Sequence, residues 1–301
     1  MLRTVTVGLD GSRESRAAAE WAAREAKLRD LPLRLVHVWE PVPEPMARAS
    51  LLDADTQQHW SERIPREAAE VVRLRHPDVE VITEQLSGYP GDALVKAAEN
   101  AELLVLGSRG LGGLGGFMAG SVGLSAVAHT ERPVVLVRAS EQAVDEHEPD
   151  PTGGPSTATP FRPVLLGLDV RHPDETLIGF AFDAALRRET SLRVLHAWNP
   201  PPYYAFGTPV NPPLHEALAL CAAEELEKVL GPWRTRFPDV DVVELTRYGS
   251  PALHLVKASH EASLVVVGRS TRRVPLGLHI GHTTHAVLHH ATVPVAVVPH
   301  A

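Results

Sequence analysis

The chain is poor in cysteine and contains no long apolar run. Its single cysteine, Cys221, cannot form a disulfide within the chain. No apolar stretch approaches the roughly 18 residues that a membrane-spanning helix requires. The first residues enter a strand pattern directly, without the apolar segment of a secretory signal peptide. We therefore expect a cytoplasmic protein with no membrane partner.

Positive charge is also scarce. The chain has 29 Lys and Arg residues against 37 Asp and Glu residues, which gives a formal net charge of -8. No overall positive field is available to attract the phosphate backbone of a nucleic acid, so we expect no nucleic-acid partner. Hydrophobic residues make up 44% of the chain and charged residues 22%, a balance typical of a soluble protein with a real core.

An internal repeat is the most informative feature that the sequence does have. TVTVGLD at 4–10 returns as PVLLGLD at 163–169, and PVVLV at 133–137 returns as PVAVV at 294–298. The repeat predicts two domains, 1–138 and 162–301. The segment between them, 139–161, combines acidic residues with a PTGGPSTATP run, and its composition predicts a linker without a packed element.

Short apolar runs alternate with helical patterns throughout each copy. The runs in the first copy have the length and composition of buried strands, and the patterns between them place apolar residues on one stripe. This alternation predicts an α/β fold with a doubly wound parallel sheet in each domain. Ligands of such sheets bind beyond the carboxyl ends of the strands, where Asp10 and Gly107 both fall.

A glycine-rich segment follows the fourth predicted strand of the first copy. Two residues separate Gly107 from Gly110, and Gly120 and Ser121 open the next helix after nine further residues. Glycine permits a positive φ and a close approach of the main chain to a ligand. The first amides of a helix suit an anion. The spacing therefore indicates a phosphate cradle.

This G-x2-G-x9-G-[ST] pattern, together with an Asp that ends the first strand, resembles the universal stress protein family over essentially the whole chain. The resemblance implies a tandem protein whose two doubly wound domains each have a five-stranded parallel sheet in the order 3-2-1-4-5. It also implies an ATP-binding regulator or stress-response factor. The nucleotide-binding residues that it assigns to the first domain are Gly8, Asp10, Val38, Leu106, Gly107, Arg109, Gly110, Gly120, Ser121 and Val122.

In these assignments the adenine lies near Val38, the ribose near Asp10 and the phosphates at the glycines. Asp10 has the alternative role of capping the turn that follows its strand. Arg109 either reaches a phosphate or is a solvated surface arginine. These alternatives stay open on the sequence alone.

The second domain carries a degenerate version of the motif. Thr271 stands where the first copy has Gly110, and His282 stands where it has Ser121. A β-branched residue disfavours positive φ, and an imidazole fills space that a phosphate oxygen would need. The residues of this candidate second site are Asp169, Ala197, Gly268, Gly281, His282 and Thr283.

Two other motifs in the sequence offer alternatives to these assignments. The run from Gly110 to Gly115 fits G-x-G-x-x-G, but it follows the fourth strand, whereas a dinucleotide fingerprint follows the first. The same glycines would also suit a mobile loop. Five histidines crowd the start of the last helix, and His285 with His289 has metal-ligand spacing. No Cys, Asp or Glu accompanies them, so solvated histidines are favoured and no metal site is predicted.

Catalytic signals are scarce. No Walker lysine, kinase loop or obvious base lies beside the glycine run, which favours ATP binding without efficient turnover and no catalytic residue. The alternatives are a slow ATPase or nucleotidyl-transfer enzyme that uses Asp10 with Mg²⁺, and an interaction scaffold without nucleotide. The resemblance further implies that the fifth strands of the two copies pair as an internal pseudo-dimer, and whole chains are expected to form a homo-oligomer.

Overall fold

The structure is a computed structural model. It describes residues 3–40, 54–108, 121–199, 212–271 and 280–301. The chain divides into two compact units, Met1–Gln142 and Ala143–Ala301. No helix in the described ranges combines the length and the apolar character that crossing a bilayer requires.

Strands and helices alternate along the first unit, as the apolar runs predict. Its elements are β1 (Thr4–Leu9), α1 (Arg13–Arg29), β2 (Leu33–Trp39), α2 (Ala54–Arg75), β3 (Val81–Ser87), α3 (Pro90–Ala98), β4 (Ala101–Ser108), α4 (Ser121–His129) and β5 (Val134–Arg138).

The second unit repeats this order of elements. They are β6 (Val164–Gly167), α5 (Glu175–Arg187), β7 (Leu192–Trp198), α6 (Pro212–Arg236), β8 (Val242–Tyr248), α7 (Pro251–Ser259), β9 (Leu264–Ser270), α8 (His282–His290) and β10 (Val295–His300).

All strand pairs within each unit are parallel. The order in the first unit is β3-β2-β1-β4-β5, which confirms the predicted 3-2-1-4-5 arrangement. The second unit has the same order, β8-β7-β6-β9-β10. Strands β1 and β5 are buried along their whole length. Burial on both faces is typical of parallel sheets and explains why these strands read as continuous apolar runs.

Helix α1 leads directly away from the end of β1. Ser12 caps it, since its hydroxyl accepts a hydrogen bond from the Ser15 amide at 3.1 Å. The predicted apolar stripe is buried, with Trp21 only 1% exposed. The helix ends at Asp30, whose left-handed φ of 52° lets its amide reach the last carbonyls.

A histidine ties the second strand of each unit to the first strand beyond the regular ladder. The Nδ1 atom of His37 lies 2.7 Å from the Leu9 carbonyl oxygen, and that of His196 lies 3.1 Å from the Leu168 carbonyl oxygen. Both rings are buried. Both histidines are thus hydrogen-bonded structural residues.

The segment around 150 is more ordered than its composition predicts. His147 and Phe161 form an antiparallel bridge. Between them, an Asp150 carboxylate oxygen accepts hydrogen bonds from the amides of Thr152 and Gly154 at 2.8 and 2.9 Å. A side chain thus satisfies the amides that a strand partner would otherwise bind, which is how a Pro- and Gly-rich run keeps a fixed shape.

Cys221 is exposed, although its alanine-rich helical surroundings suggest a small buried residue. It lies on α6 directly before Ala222, which is 5% exposed, while Leu226 and Leu230 are fully buried. Successive residues of a helix are rotated by about 100°. The alanine-rich composition predicts the helix correctly, but the step from Cys221 to Ala222 crosses from its solvent face to its core face.

Strand β4 ends against the first turn of α1 at Gly107. A Cβ atom at this position would lie 2.5 Å from the backbone carbon of Glu14 and 2.7 Å from the backbone nitrogen of Ser15. The expected positive φ of Gly107 was wrong, because this residue continues the strand and is not among the positive-φ glycines. Its missing side chain is needed for close packing of strand against helix.

This packing generates a stability prediction. We expect Gly107→Ala to lower the free energy of unfolding by about 1–3 kcal/mol, because backbone must move to admit the Cβ. Gly231→Ala in α6 is the matched control, since no atom lies within 4 Å of its Cβ position. There the stabilising loss of glycine entropy is opposed by Pro232, which disfavours a helical conformation in the residue before it, so stability should change by less than about 1 kcal/mol. Urea denaturation of both variants measures the difference, and equal effects would contradict the packing role.

Candidate functional site

A cavity of about 260 Å³ opens at the carboxyl ends of β1, β2 and β4 in the first unit. Every predicted site residue of this unit that the structure describes lines it: Gly8, Asp10, Val38, Leu106, Gly107, Ser121 and Val122. Arg109, Gly110 and Gly120 lie outside the described residues. The fold thus brings together residues that are spread over more than a hundred positions of sequence.

Part of the cavity wall was missed in the sequence. The first turns of α1 and α3 contribute Ser12, Glu14, Ser15, Pro90 and Leu94. Local signals for both helix starts exist, since serine is a preferred N-cap and proline is favoured at the first helical position. Nothing in those signals says that the two helices begin beside the same strand ends, which only the doubly wound topology decides.

Three helices begin at this cavity. Residues from the starts of α1, α3 and α4 all line it, with Ser121 as the first residue of α4. The N-cap of α3, Tyr89, makes no side-chain cap hydrogen bond. The first amides of a helix lack partners within the helix and carry a partial positive charge. Their convergence makes this edge of the sheet favourable for an anion.

The wall between these helix starts is apolar. Val36 and Val38 come from β2, Leu94 from α3 and Leu106 from β4. Binding pockets for small molecules are lined mostly by apolar groups with a few polar ones that fix orientation. The cavity therefore suits a nucleoside, with the apolar wall against a base and the helix starts toward a phosphate.

The charged side chains of the described wall are acidic. Asp10 and Glu14 line the cavity, and no basic side chain accompanies them among the described lining residues. A carboxylate repels a phosphate at short range. Anion binding at this site would therefore depend on main-chain amides and hydroxyl groups.

Asp10 is exposed and shapes the turn between β1 and α1. Its Oδ1 atom accepts a hydrogen bond from the Ser12 amide at 3.0 Å and a second one from the Ser12 hydroxyl. Because Ser12 is itself the N-cap of α1, the carboxylate of Asp10 fixes the orientation of that helix start. The capping role is thus present, and it leaves Asp10 at the cavity wall.

Gly8 forms the floor of the cavity between two leucines. A Cβ atom there would lie 2.6 Å from Cδ2 of Leu106 and 3.2 Å from both δ-carbons of Leu94. The second unit repeats the arrangement, since a Cβ at Gly167 would lie 2.8 Å from Cδ1 of Leu255. The repetition indicates that this glycine is required by the packing of the fold in both units.

A larger cavity, of about 1260 Å³, lies between α1 and α2. It contains none of the predicted site residues. Some of the charged groups in its wall pair with one another, as Arg63 does with Glu67 and Arg75 with Glu20. We place the candidate site in the smaller cavity, because that one lies where three helix starts converge on the strand ends.

Asp169 of the second unit is held by its own neighbours. Its carboxylate accepts a hydrogen bond from the Arg171 amide at 3.2 Å and lies 3.2 Å from Nδ1 of His172. Burial raises the pKa of Asp169, but the hydrogen bonds with His172 and Arg171 and the charge of Arg171 outweigh it, so the net pKa is lowered. The residue that matches Asp10 is thus engaged with side chains of its own loop.

Gly268 is likewise contacted by side chains of the second unit. A Cβ atom there would lie 2.6 Å from Nε2 of His300, and the hydroxyl of Thr284 donates to the Gly268 carbonyl oxygen at 2.7 Å. The helix that follows β6 begins with Asp174, whose carboxylate accepts hydrogen bonds from two first-turn amides. A carboxylate on these amides competes with an anionic ligand.

The remaining predicted residues of the second unit lie at equivalent places in the fold. Ala197 is the penultimate residue of β7, Gly281 is the N-cap of α8, and His282 and Thr283 are the first residues of that helix. Gly281 provides no side chain to cap α8. These positions correspond to the strand end and helix start of the first cavity, with an imidazole in place of the Ser121 hydroxyl.

Comparison with known proteins gives matches over both units. The sequence model of the universal stress protein family matches residues 1–138 and 160–299. A universal stress protein of Mycolicibacterium smegmatis is 33% identical over 302 residues, which cover 98% of this chain and 96% of that protein. Universal stress protein Rv2005c of Mycobacterium tuberculosis is 34% identical over 307 residues, which cover 97% of this chain and 96% of that protein.

A solved structure shows the same fold. The crystal structure of a universal stress protein from Archaeoglobus fulgidus matches with a TM-score of 0.68 at 16% identity. The match covers 99% of this chain and 98% of that one.

The lowered pKa of Asp169 predicts a pH-dependent role in stability. A carboxyl group whose pKa is lower in the folded state stabilises the protein above its unfolded pKa of about 3.9, and this contribution is lost as the pH falls through the folded value. We expect Asp169→Asn to lower the melting temperature at pH 7 by an amount that shrinks in acid. The cost should stay below about 1 kcal/mol, because the side chain is 49% exposed.

Thermal unfolding at a series of pH values measures this effect. Asp239→Asn is the control, because Asp239 is an exposed residue of the same unit. A melting-temperature loss for Asp169→Asn that is constant from neutral to acidic pH would contradict the electrostatic role.

Proposed function

Because the chain belongs to the universal stress protein family, we propose that its first unit binds ATP and that nucleotide occupancy, without efficient turnover, is its regulatory signal. The observation that carries the proposal is the cavity at the ends of β1, β2 and β4. It gathers the residues that the glycine motif and the strand-one aspartate predict, and it is bordered by three helix starts.

Each part of the cavity suits a different part of ATP. Val36 and Val38 form an apolar wall for adenine, and Asp10 lies at the strand end where a carboxylate can accept hydrogen bonds from ribose hydroxyls. Ser121 and the first amides of α4 offer neutral donors to the phosphates. The chain's own residues would thus bind and orient the nucleotide.

Efficient phosphoryl transfer is not part of the proposal. Such chemistry needs a group that orients the nucleophile and cations that stabilise charge on the transferred phosphate. The Oδ1 atom of Asp10, which the alternative hypothesis uses with Mg²⁺, already accepts two hydrogen bonds from Ser12. A carboxylate held in a helix-capping turn is better suited to fixing geometry than to moving a proton.

The second unit is proposed to bind nucleotide weakly or not at all. His300 lies over Gly268, Asp169 is held by Arg171 and His172, and Asp174 caps the first helix of the unit. Each of these contacts replaces one that a ligand would make. We therefore propose one nucleotide per chain.

The binding proposal predicts that a carboxylate weakens ATP binding at the start of α4 but not at the equivalent position of α8. Ser121→Glu places a carboxylate at the start of α4, where it favours the helix dipole but repels a phosphate. We expect it to raise the Kd of ATP at least tenfold while the melting temperature is kept. Isothermal titration of the intact chain, with and without Mg²⁺, measures the affinity and should give one site per chain.

His282→Glu is the matched control, since it adds a carboxylate at the first residue of α8 in the second unit. It should leave the affinity for ATP unchanged. A stoichiometry of two, or a loss of affinity in the control but not in Ser121→Glu, would overturn the assignment of the site to the first unit.

Turnover is tested separately from binding. Incubation of the protein with labelled ATP should give stoichiometric retention of intact nucleotide and no sustained release of phosphate. Steady release that requires Mg²⁺ and is abolished by Asp10→Ala would instead support a slow ATPase or nucleotidyl-transfer enzyme. Failure to retain any nucleotide would favour an interaction scaffold.

We also propose a cytoplasmic location, a role in a stress response and a homo-oligomeric state. A cytoplasmic location agrees with the single cysteine of the chain, since a reducing compartment does not require disulfides. Participation in a stress response and homo-oligomerisation stay predictions of the family resemblance. Sedimentation of the intact chain with and without ATP would measure the oligomeric state.

A further inference from the structure

Two imidazoles meet on the surface of the second unit. His285 and His289 lie one turn apart on α8, and their Nε2 atoms are 3.2 Å apart. The ring centroids are separated by 4.3 Å. His285 is exposed and His289 is half-buried. The pair therefore lies at the surface of this unit.

The separation of the two nitrogen atoms equals the bite of a metal chelate. Zinc binds histidine nitrogen at about 2.0–2.1 Å. Two nitrogen atoms 3.2 Å apart can both lie at that distance from one ion, with an N–Zn–N angle of about 100°, close to tetrahedral. The i, i+4 spacing places both rings on one face of α8, so the two nitrogen atoms are already neighbours in the metal-free protein.

We propose that His285 and His289 form a bidentate surface site for a borderline transition-metal cation, Zn²⁺ or Cu²⁺. Nitrogen ligands favour these ions over Mg²⁺ and Ca²⁺, which prefer oxygen. Water molecules complete the coordination, because the described residues include no cluster of three or more ligating side chains. The site is distinct from the nucleotide cavity, since all of its ligands belong to α8.

Metal binding requires both rings to be neutral, because a histidine ligates a metal through an unprotonated ring nitrogen. In the metal-free protein one Nε2 donates a hydrogen bond to the other. Metal binding replaces that hydrogen bond, with the ring protons held on Nδ1.

A zinc titration of the intact, tag-free chain tests the site. We expect His285→Ala and His289→Ala each to weaken Zn²⁺ binding at least tenfold, because either variant leaves a single ligand. His290→Ala is the matched control, since its ring is adjacent on the same helix but 6.5 Å from that of His289. Competition with a chromophoric zinc indicator measures the affinities.

A second readout separates ligation from folding. Saturating Zn²⁺ should raise the melting temperature of the wild-type chain and of His290→Ala, but not of the other two variants. The melting temperatures without metal should agree among all four proteins. Wild-type zinc affinity in both His285→Ala and His289→Ala, or an equal loss in His290→Ala, would overturn the proposal.

Discussion

The close contact between the end of β4 and the first turn of α1 is the constraint on which the candidate site depends. At Gly107 the two backbones approach so closely that a Cβ atom would lie 2.5 Å from Glu14. This contact sets the start of α1 beside the strand ends, and Asp10 and Ser12 then fix its orientation through their hydrogen bonds. The cavity exists because a strand end, a tight turn and a helix start are held together without a side chain between them.

The two units share the packing of their sheets but differ in the contacts at the carboxyl edge. The floor glycines, Gly8 and Gly167, are each packed by a leucine of an equivalent helix, Leu94 in α3 and Leu255 in α7, so both units need a small residue there. Around the strand ends the second unit has replaced open positions with its own contacts, in which His300 approaches Gly268 and Asp174 caps α5. Packing within the sheet is therefore preserved, whereas the polar groups at its carboxyl edge have become internal hydrogen-bond partners.

The sequence predicted the fold and the strand order because the repeat and the continuous apolar runs are local signals of buried parallel strands. The sequence was less informative where packing between distant elements determines backbone conformation, exposure or the lining of the cavity. A glycine before a loop suggested a left-handed turn. Gly107 does not have a positive φ, and its missing side chain instead makes room for the backbone of α1. The surface position of Cys221 depends on one step around α6. The contribution of Pro90 and Leu94 to the cavity depends on topology, which no local pattern encodes.

The electrostatics of the cavity limit how it can hold an anion. The chain has a net charge of -8, and the described wall adds the carboxylates of Asp10 and Glu14. Among the described residues of the wall, the favourable contribution to phosphate binding therefore comes from hydroxyl groups and from amides in the first turns of α1, α3 and α4. Such dipoles act over a few ångströms and favour a ligand only after its apolar part has entered the cavity. If the cavity binds a nucleotide as we propose, recognition of the base and stabilisation of the phosphate would be coupled, and the site would respond to a whole nucleotide more than to free phosphate.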